Sequence, residues 1–381
     1  MKQTILTILF FLTVALAKAQ TIEFNQDLMV NKLVLNYKTP LNDSIIEFMS
    51  QYHKALFSMD SKAFDFYSKE TRDHYIMPDY LVRGELSRYD MSKIKPNIID
   101  MYKLDSNCRT IQVGYSYYDT ASKSIGVFFV YTFAIKKVGD SLKLFPLIDT
   151  YKFRKYKTEN ITYYAIDTIV NYTEAVDSLS AYNLKLARFF GIPPIKFTCY
   201  QFTNFAELNL AVGYDVSNMY MRMKSNAFAD MYNKIFYSMN AKTYLHEIVH
   251  LYVGNEYAKT CNDWINEGLA TYFAGSVQRT LKEHLKNLNI DLIKHTEYDL
   301  NDFMKYTYDH VDNFEKEKTT NYKYTLGGLI CKLAYEKKGF EGIKTLMSAG
   351  LTKEDVYRAV EKVLDLKRTD FNTFFRMEIA K

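Results

Sequence analysis

His246, Glu247 and His250 form the pattern H-E-x-x-H in the second half of this 381-residue chain. Residues four apart lie on one face of a helix, so both imidazoles can bind a single metal ion. Glu247 lies one step round the helix, where its carboxylate can polarise a water without being a metal ligand. Because the chain has only seven histidines, a chance match is rare, and a metal site is favoured over an ordinary helix with two exposed histidines.

The flanking residues predict the helix that this spacing requires. Asn240 can cap its start, the segment 241–253 contains neither Gly nor Pro, and Gly254 fits its C-terminal end. Leu245 and Val249 belong to an apolar stripe that can bury one side of it. The motif is therefore expected near the middle of a helix.

A catalytic zinc site needs a third protein ligand and an open position for water. Glu267 follows His250 by 17 residues, within the run W-I-N-E-G-L-A-T-Y at 264–272. H-E-x-x-H followed by W-x-x-E-G-x-A-x-Y resembles the gluzincin metallopeptidases, the class of thermolysin and aminopeptidase N, and more closely their secreted bacterial peptidase-MA-like branch. The resemblance spans roughly 161–381. It implies that His246, His250 and Glu267 bind Zn²⁺ and that Glu267 projects from a second helix.

The resemblance also implies a mechanism. Glu247 is expected to act as the general base that takes a proton from water and later passes it to the leaving amine. Tyr324 lies three residues before Gly327, as in the family's Y-x-x-G helix, and is expected to donate a hydrogen bond to the oxyanion. Tyr322 is the alternative donor, and a tyrosine that only fills the start of this helix is a further reading.

The chain departs from the family pattern at several points. Thr271 stands where thermolysin-like members carry an Asp that orients a zinc-binding His, so Asp263 or Glu256 is expected to take that role. No G-x-M-E-N stretch precedes the zinc helix, so the amine anchor of the aminopeptidases is missing. The family likeness makes Lys234–Ser238 the edge strand that pairs with a substrate peptide. The remaining histidines are isolated and are expected at the surface or in the core: His53, His74, His284, His295 and His310.

The first 19 residues predict export. Lys2 precedes an apolar run at 5–17 that is too short to span a membrane, and Ala17 and Ala19 form a small-x-small cleavage site. A secreted or periplasmic protein cleaved after Ala19 is expected, with no stable membrane insertion. The net charge of +5 falls to +3 without Lys2 and Lys18. So small a positive charge does not indicate a nucleic-acid-binding protein.

The composition and patterning predict an α+β fold in two domains. Residues 20–157 read as an accessory domain: a helix over 43–69 followed by strands at 109–118, 125–136 and 142–148. This order of elements resembles the cone-shaped domains of the nuclear transport factor 2 type. Residues 158–381 read as the gluzincin-like domain, a small sheet with a mostly helical C-terminal half. The four cysteines are expected to be mostly buried thiols, and no disulfide is assigned.

These observations predict an exported zinc-dependent peptidase that acts on a peptide or protein substrate. Two alternatives stay open. The chain can be a zinc-bearing binding or scaffold protein that has lost turnover, or a hydrolase of the same fold that acts on a non-peptide ester or amide. The sequence leaves the substrate preference, endo- or exo-cleavage and the oligomeric state open.

Overall fold

The chain folds as an α+β protein in two compact units. The computed structural model describes residues 28–36, 39–58, 60–75, 79–86, 90–119, 124–166, 172–217, 227–239, 244–277, 279–306 and 321–381. The expected signal peptide, Asn240 and His310 lie outside these ranges. The first unit comprises Met1–Thr150 with Leu210–Arg222, and the second comprises Tyr151–Asn209 with Met223–Lys381.

In the first unit a long helix precedes an antiparallel sheet. Its helices are α1 (Lys32–Asn36), α2 (Pro40–Phe57), α3 (Lys69–His74) and α4 (Tyr80–Leu86). The Thr39 hydroxyl caps α2 by accepting a hydrogen bond from the Asn42 amide, and Pro40 occupies its first turn. The helix expected over 43–69 ends early, at Phe57, because Asp60 caps a separate 3₁₀ helix at Ser61–Phe66.

The sheet of the first unit has six strands, and three of them were not expected from the sequence. The strands are β1 (Met29–Val30), β2 (Ile94–Lys103), β3 (Cys108–Asp119), β4 (Ser124–Val138), β5 (Ser141–Phe145) and β9 (Tyr214–Ser217). They run in the order β1-β2-β3-β4-β5, and β9 pairs with β4; β1, β2 and β9 are the three unexpected strands. In β2, a bulge between Ile98 and Asp100 interrupts the alternation of buried residues that marks a strand in sequence.

The second unit contains a five-stranded mixed sheet. Its strands are β6 (Arg154–Lys157), β7 (Ile161–Ala165), β8 (Phe197–Phe202), β10 (Ala227–Asp230) and β11 (Ile235–Met239). Their order is β10-β11-β8-β7-β6, with β11, β8 and β7 parallel. The domain boundary expected after Lys157 rests on the polar residues at 158–160. In the structure these residues form the turn of the β6–β7 hairpin.

The expectation that Lys234–Ser238 forms the edge strand is wrong. The segment does contain β11, but β11 pairs with β8 on one side and with β10 on the other. A tight turn at 231–234 folds β10 back against β11, so β11 is an interior strand. A substrate peptide cannot add to a strand that already has two neighbours.

The rest of the second unit is mostly helical and builds a large apolar core. Among the residues that the structure describes from 172 onward, the helices are α5 (Tyr172–Phe190), α6 (Phe205–Val212), α7 (His246–Glu256), α8 (Asp263–Ala274), α9 (Leu281–Lys294), α10 (Tyr322–Met347), α11 (Lys353–Leu364) and α12 (Phe371–Ile379). Gly339, with φ of 59°, kinks α10, and the helix resumes beyond it. All four cysteines are buried free thiols, as expected.

Within the described ranges, no helix combines the length and the apolar character that crossing a membrane requires.

Candidate metal centre

The H-E-x-x-H motif occupies the first turn of α7 rather than its middle. The helix begins at His246 and ends at Glu256, so Gly254 lies inside it and is not the C-terminal cap. Gly254 instead allows Met231 to approach, since a Cβ at this position would lie 2.9 Å from the Met231 Cβ. The interpretation of two exposed histidines is wrong, because His246 and His250 are 4% and 7% exposed.

Packing against α5 fixes the position of α7. The Tyr252 hydroxyl donates a hydrogen bond of 2.6 Å to the Asn183 side-chain oxygen, and the Tyr252 ring stacks on Phe190 at 5.1 Å. Ile248 and Val249 are fully buried in the same core. The imidazoles of the motif therefore project from a helix that is anchored two residues further along.

Glu267 of α8 meets both imidazoles. Its Oε2 atom lies 3.1 Å from the Nε2 of His246 and 3.5 Å from the Nε2 of His250. One ligand atom from each of the three residues falls within 4.8 Å of the others. Four ligands at about 2.0 Å from a tetrahedral metal are separated by about 3.3 Å, and the two distances from Glu267 match this separation. The group can hold a metal.

The Nδ1 atoms of both imidazoles make hydrogen bonds, which leaves Nε2 as the nitrogen that can bind a metal. His246 Nδ1 lies 2.7 Å from the carbonyl oxygen of Gly275, and His250 Nδ1 lies 2.9 Å from the side-chain oxygen of Asn266. Carbonyl and amide oxygens only accept hydrogen bonds, so both Nδ1 atoms carry the proton. Each Nε2 then faces Glu267 and is the nitrogen that can bind a metal once it carries no proton.

The expectation that Asp263 or Glu256 orients a zinc-binding histidine is wrong. The Asp263 carboxylate is mostly exposed and pairs with the Lys323 ammonium at 2.5 Å, while Glu256 is exposed at the end of α7. Asn266 and the Gly275 carbonyl take that role. Asn266 precedes Glu267 directly and could have been considered from sequence, but a backbone carbonyl 29 residues from His246 leaves no sequence signal.

The three ionisable groups strongly influence one another. Burial alone would raise the pKa of Glu267, but the imidazoles of His250 and His246 hold this pKa well below its usual value. Burial alone would lower the pKa of His250, but the Glu267 carboxylate outweighs burial and raises it to about 9. Glu247 is buried beside them, and burial raises the pKa of its carboxyl group.

Two glycines bring α8 and α10 into backbone contact at the site. A Cβ on Gly268 would lie 2.3 Å from the carbonyl carbon of Gly327, and a Cβ on Gly327 would lie 2.6 Å from the carbonyl oxygen of Trp264. Gly268 directly follows Glu267, and Gly327 lies three residues after Tyr324. The close crossing therefore sets Glu267 and Tyr324 on the same side of the site.

The two candidate tyrosines of α10 point to different places. The Tyr324 ring centre lies 6.0 Å from that of His246, and burial followed by the charges of Glu267 and Glu247 raises the Tyr324 pKa. The buried Tyr322 hydroxyl instead donates a hydrogen bond of 2.6 Å to Asp291 of α9. Of the two, Tyr324 is the one placed beside the metal-binding group.

Sequence reasoning missed a third tyrosine at this site. The Tyr244 ring centre lies 5.8 Å from that of His246. Burial, followed by the Glu247 carboxylate, raises the pKa of Tyr244 to about 12. Tyr244 precedes the motif by two residues, but nothing in the family pattern singles it out. Of the isolated histidines, His53 and His284 are core residues and His295 is partly exposed.

No protein-family model and no curated protein matches the chain.

Proposed function

We propose that this chain is a zinc-dependent hydrolase that cleaves peptide bonds. The observation that carries the proposal is the convergence of His246, His250 and Glu267 beside the buried carboxylate of Glu247. Two imidazoles and one carboxylate are the ligand set of catalytic zinc sites that leave a position open for water or substrate. The two gluzincin-like motifs, H-E-x-x-H and W-x-x-E-G-x-A-x-Y, favour zinc as the metal and a peptide as the substrate.

Bound zinc would supply Lewis-acid polarisation of the scissile carbonyl and of the attacking water. Glu247 accepts the proton of that water and passes it to the leaving amine. Its carboxylate makes no hydrogen bond with a described residue, and its burial favours the protonated form, so it is a stronger base than an exposed carboxylate. Tyr324 donates a hydrogen bond to the oxyanion that forms at the carbonyl.

The Glu247→Gln variant separates metal binding from chemistry. The purified protein should hold about one zinc per chain, and Glu247→Gln should keep it because the amide replaces a group that is not a ligand. Cleavage of a mixed peptide library should fall at least ~100-fold in this variant, because the general base is gone. Zinc is measured by atomic spectroscopy and cleavage by mass spectrometry of the peptides.

His250→Ala is the matched control, since it removes a ligand from the same helix face. It should lose most of the zinc along with the cleavage. Equal zinc loss in both variants would show that Glu247 is a ligand and that the mechanism is wrong. A zinc-loaded wild-type protein that cleaves no peptide would favour a binding protein, or an ester or amide hydrolase if it turns over model esters.

A further inference from the structure

A short turn after α8 contacts two residues of the site. In this turn, formed by Gly275, Ser276, Val277 and Arg279, backbone hydrogen bonds run in both directions between Ser276 and Arg279, of 3.0 and 2.9 Å. Its first residue, Gly275, accepts the hydrogen bond of the His246 Nδ1. Two positions later, the Val277 amide donates a hydrogen bond of 3.1 Å to the hydroxyl oxygen of Tyr244. The turn therefore holds a metal-binding imidazole and a phenol together.

The conformation of the turn is unusual for its residues. Gly275 has φ of 74°, and a Cβ there would lie 1.9 Å from the carbonyl oxygen of Arg279. Val277 has φ of 48°, a region that β-branched residues rarely adopt. Strain of this kind persists only where surrounding contacts impose it. Here the strained backbone aims the Val277 N–H at Tyr244.

His284 of α9 keeps the turn in place from the core side. Its Nε2 atom lies 3.0 Å from the carbonyl oxygen of Ser276 and 2.9 Å from the Ser276 hydroxyl. His284 is fully buried, so these bonds are shielded from water. The turn is thus fixed both to the protein core and to the site, which makes the Tyr244 hydroxyl a preorganised group.

The Tyr244 proton has no acceptor among the described residues. Its hydroxyl oxygen already accepts from Val277, and a phenol keeps its proton at neutral pH. The Tyr244 ring centre lies 5.8 Å from that of His246, and the Tyr324 ring centre lies 6.0 Å from it. Two phenols therefore flank the His246 imidazole.

Resting on the proposed function, we propose that Tyr244 is a second catalytic tyrosine, held by the Val277 amide so that its O–H donates to the reacting group beside His246. A donor that acts mainly in the transition state lowers kcat when removed and leaves KM nearly unchanged. A hydrogen bond to a developing charge corresponds to about a 10- to 100-fold effect.

The test compares Tyr244→Phe with Tyr257→Phe in the zinc-loaded protein. Tyr257 caps the opposite end of α7 and is partly buried, so it controls for loss of a hydroxyl near the same helix. Tyr244→Phe should keep zinc and thermal stability, lower kcat about 10- to 100-fold and change KM less than twofold. Tyr257→Phe should match the wild type in all four measurements.

Affinity for a phosphinic peptide gives a readout that does not need turnover. Its tetrahedral P–O groups stand in for the attacked carbonyl and the attacking water, so Tyr244→Phe should weaken its binding by about the same factor as kcat. Unchanged kcat and affinity in Tyr244→Phe, or loss of zinc and stability, would overturn the role of Tyr244 alone. A wild-type protein that neither cleaves peptides nor binds the phosphinate would overturn the proposed function as well.

Discussion

Tyr322 and Tyr324 lie two positions apart at the start of α10, yet their hydroxyl groups have different surroundings. Residues two apart on a helix project in different directions. Tyr322 is buried and donates to the Asp291 carboxylate, whose other oxygen makes no hydrogen bond with a described residue. Tyr324 is near Glu267, Glu247 and His246. The first residue contributes to stability, and the second is placed for chemistry.

Removing each hydroxyl should therefore have different effects. Tyr324→Phe should keep zinc, fold and KM but lower kcat about 100- to 1000-fold, the usual loss for one oxyanion donor. Tyr322→Phe should leave kcat within a few fold but lower the free energy of unfolding by about 1–3 kcal/mol, because a buried carboxylate loses its donor. Steady-state kinetics and denaturant unfolding of both variants separate these effects. A dead Tyr322→Phe that is fully stable would reverse the assignment.

The residues of the candidate metal centre could be predicted because the chemistry they could perform is encoded in their types and spacing. His246, Glu247 and His250 need only a helix to share a site, and Glu267 lies in a motif of its own. The supporting groups depend on tertiary packing. Asn266, the Gly275 carbonyl and Tyr244 reach the imidazoles or Glu247 only because the end of α8 folds back towards the start of α7.

At the scale of elements, the crossing of α8 and α10 determines where Glu267 and Tyr324 meet. Gly268 and Gly327 put backbone against backbone at this crossing, with no side chain between them that could move aside. An added Cβ must push the two helices apart. Because Glu267 is the neighbour of Gly268, such a shift moves a residue of the candidate metal centre as well as Tyr324.

Gly268→Ala should therefore destabilise the protein and weaken zinc binding. Overpacking of a tight contact costs about 1–3 kcal/mol, and a displaced Glu267 lowers zinc affinity. The control is Gly84→Ala in α4, where a Cβ meets nothing within 4 Å, and where Ala should be neutral or stabilising by up to about 1 kcal/mol. Thermal unfolding and zinc titration with a competing chelator measure both effects. Normal zinc affinity in Gly268→Ala would show that α8 tolerates the shift without moving Glu267.

Element prediction succeeded where a periodic pattern was uninterrupted and failed where long-range pairing decided the outcome. The alternation in β3 and the apolar spacing in the first half of α2 are read directly from sequence. The bulge in β2 hides its alternation. The place of β11 inside its sheet depends on β10, whose four residues A-F-A-D carry no strong strand signal. The start of α7 at His246 likewise could not be derived from helix propensity.

At the scale of the whole molecule, the chain passes between its two units more than once. The first unit includes Leu210–Arg222, whose strand β9 pairs with β4 about 80 residues away in sequence. Asp215 of β9 accepts hydrogen bonds from Gln112 at 2.9 Å and from Thr132. A domain boundary drawn from local composition cannot anticipate such a return, because the pairing of β9 with β4 joins residues far apart in sequence.

The response of the first unit to acid should depend on His53. This imidazole is fully enclosed: its Nδ1 donates to the Met49 carbonyl oxygen at 2.8 Å, and its Nε2 accepts from the Tyr115 hydroxyl at 2.9 Å. Burial lowers the pKa of His53 to about 4, against about 6.5 in an unfolded chain. Between pH 6.5 and pH 4 the unfolded chain binds the proton of this imidazole more tightly than the folded chain does. The contribution of His53 to the free energy of unfolding is therefore fully present above pH 6.5 and declines as the pH falls towards 4.

Asp149, in the same unit, has the opposite effect, because burial raises its pKa to about 6 and protonation then favours the folded state. The wild-type pH curve alone therefore mixes both groups, and the difference between wild type and His53→Gln isolates the imidazole. Gln can accept from Tyr115 but does not titrate. Relative to His53→Gln, the wild type should lose about 3 kcal/mol of unfolding free energy between pH 7 and pH 4, measured by urea unfolding. Parallel curves for the two proteins would mean that His53 is hydrated or already charged in the native state.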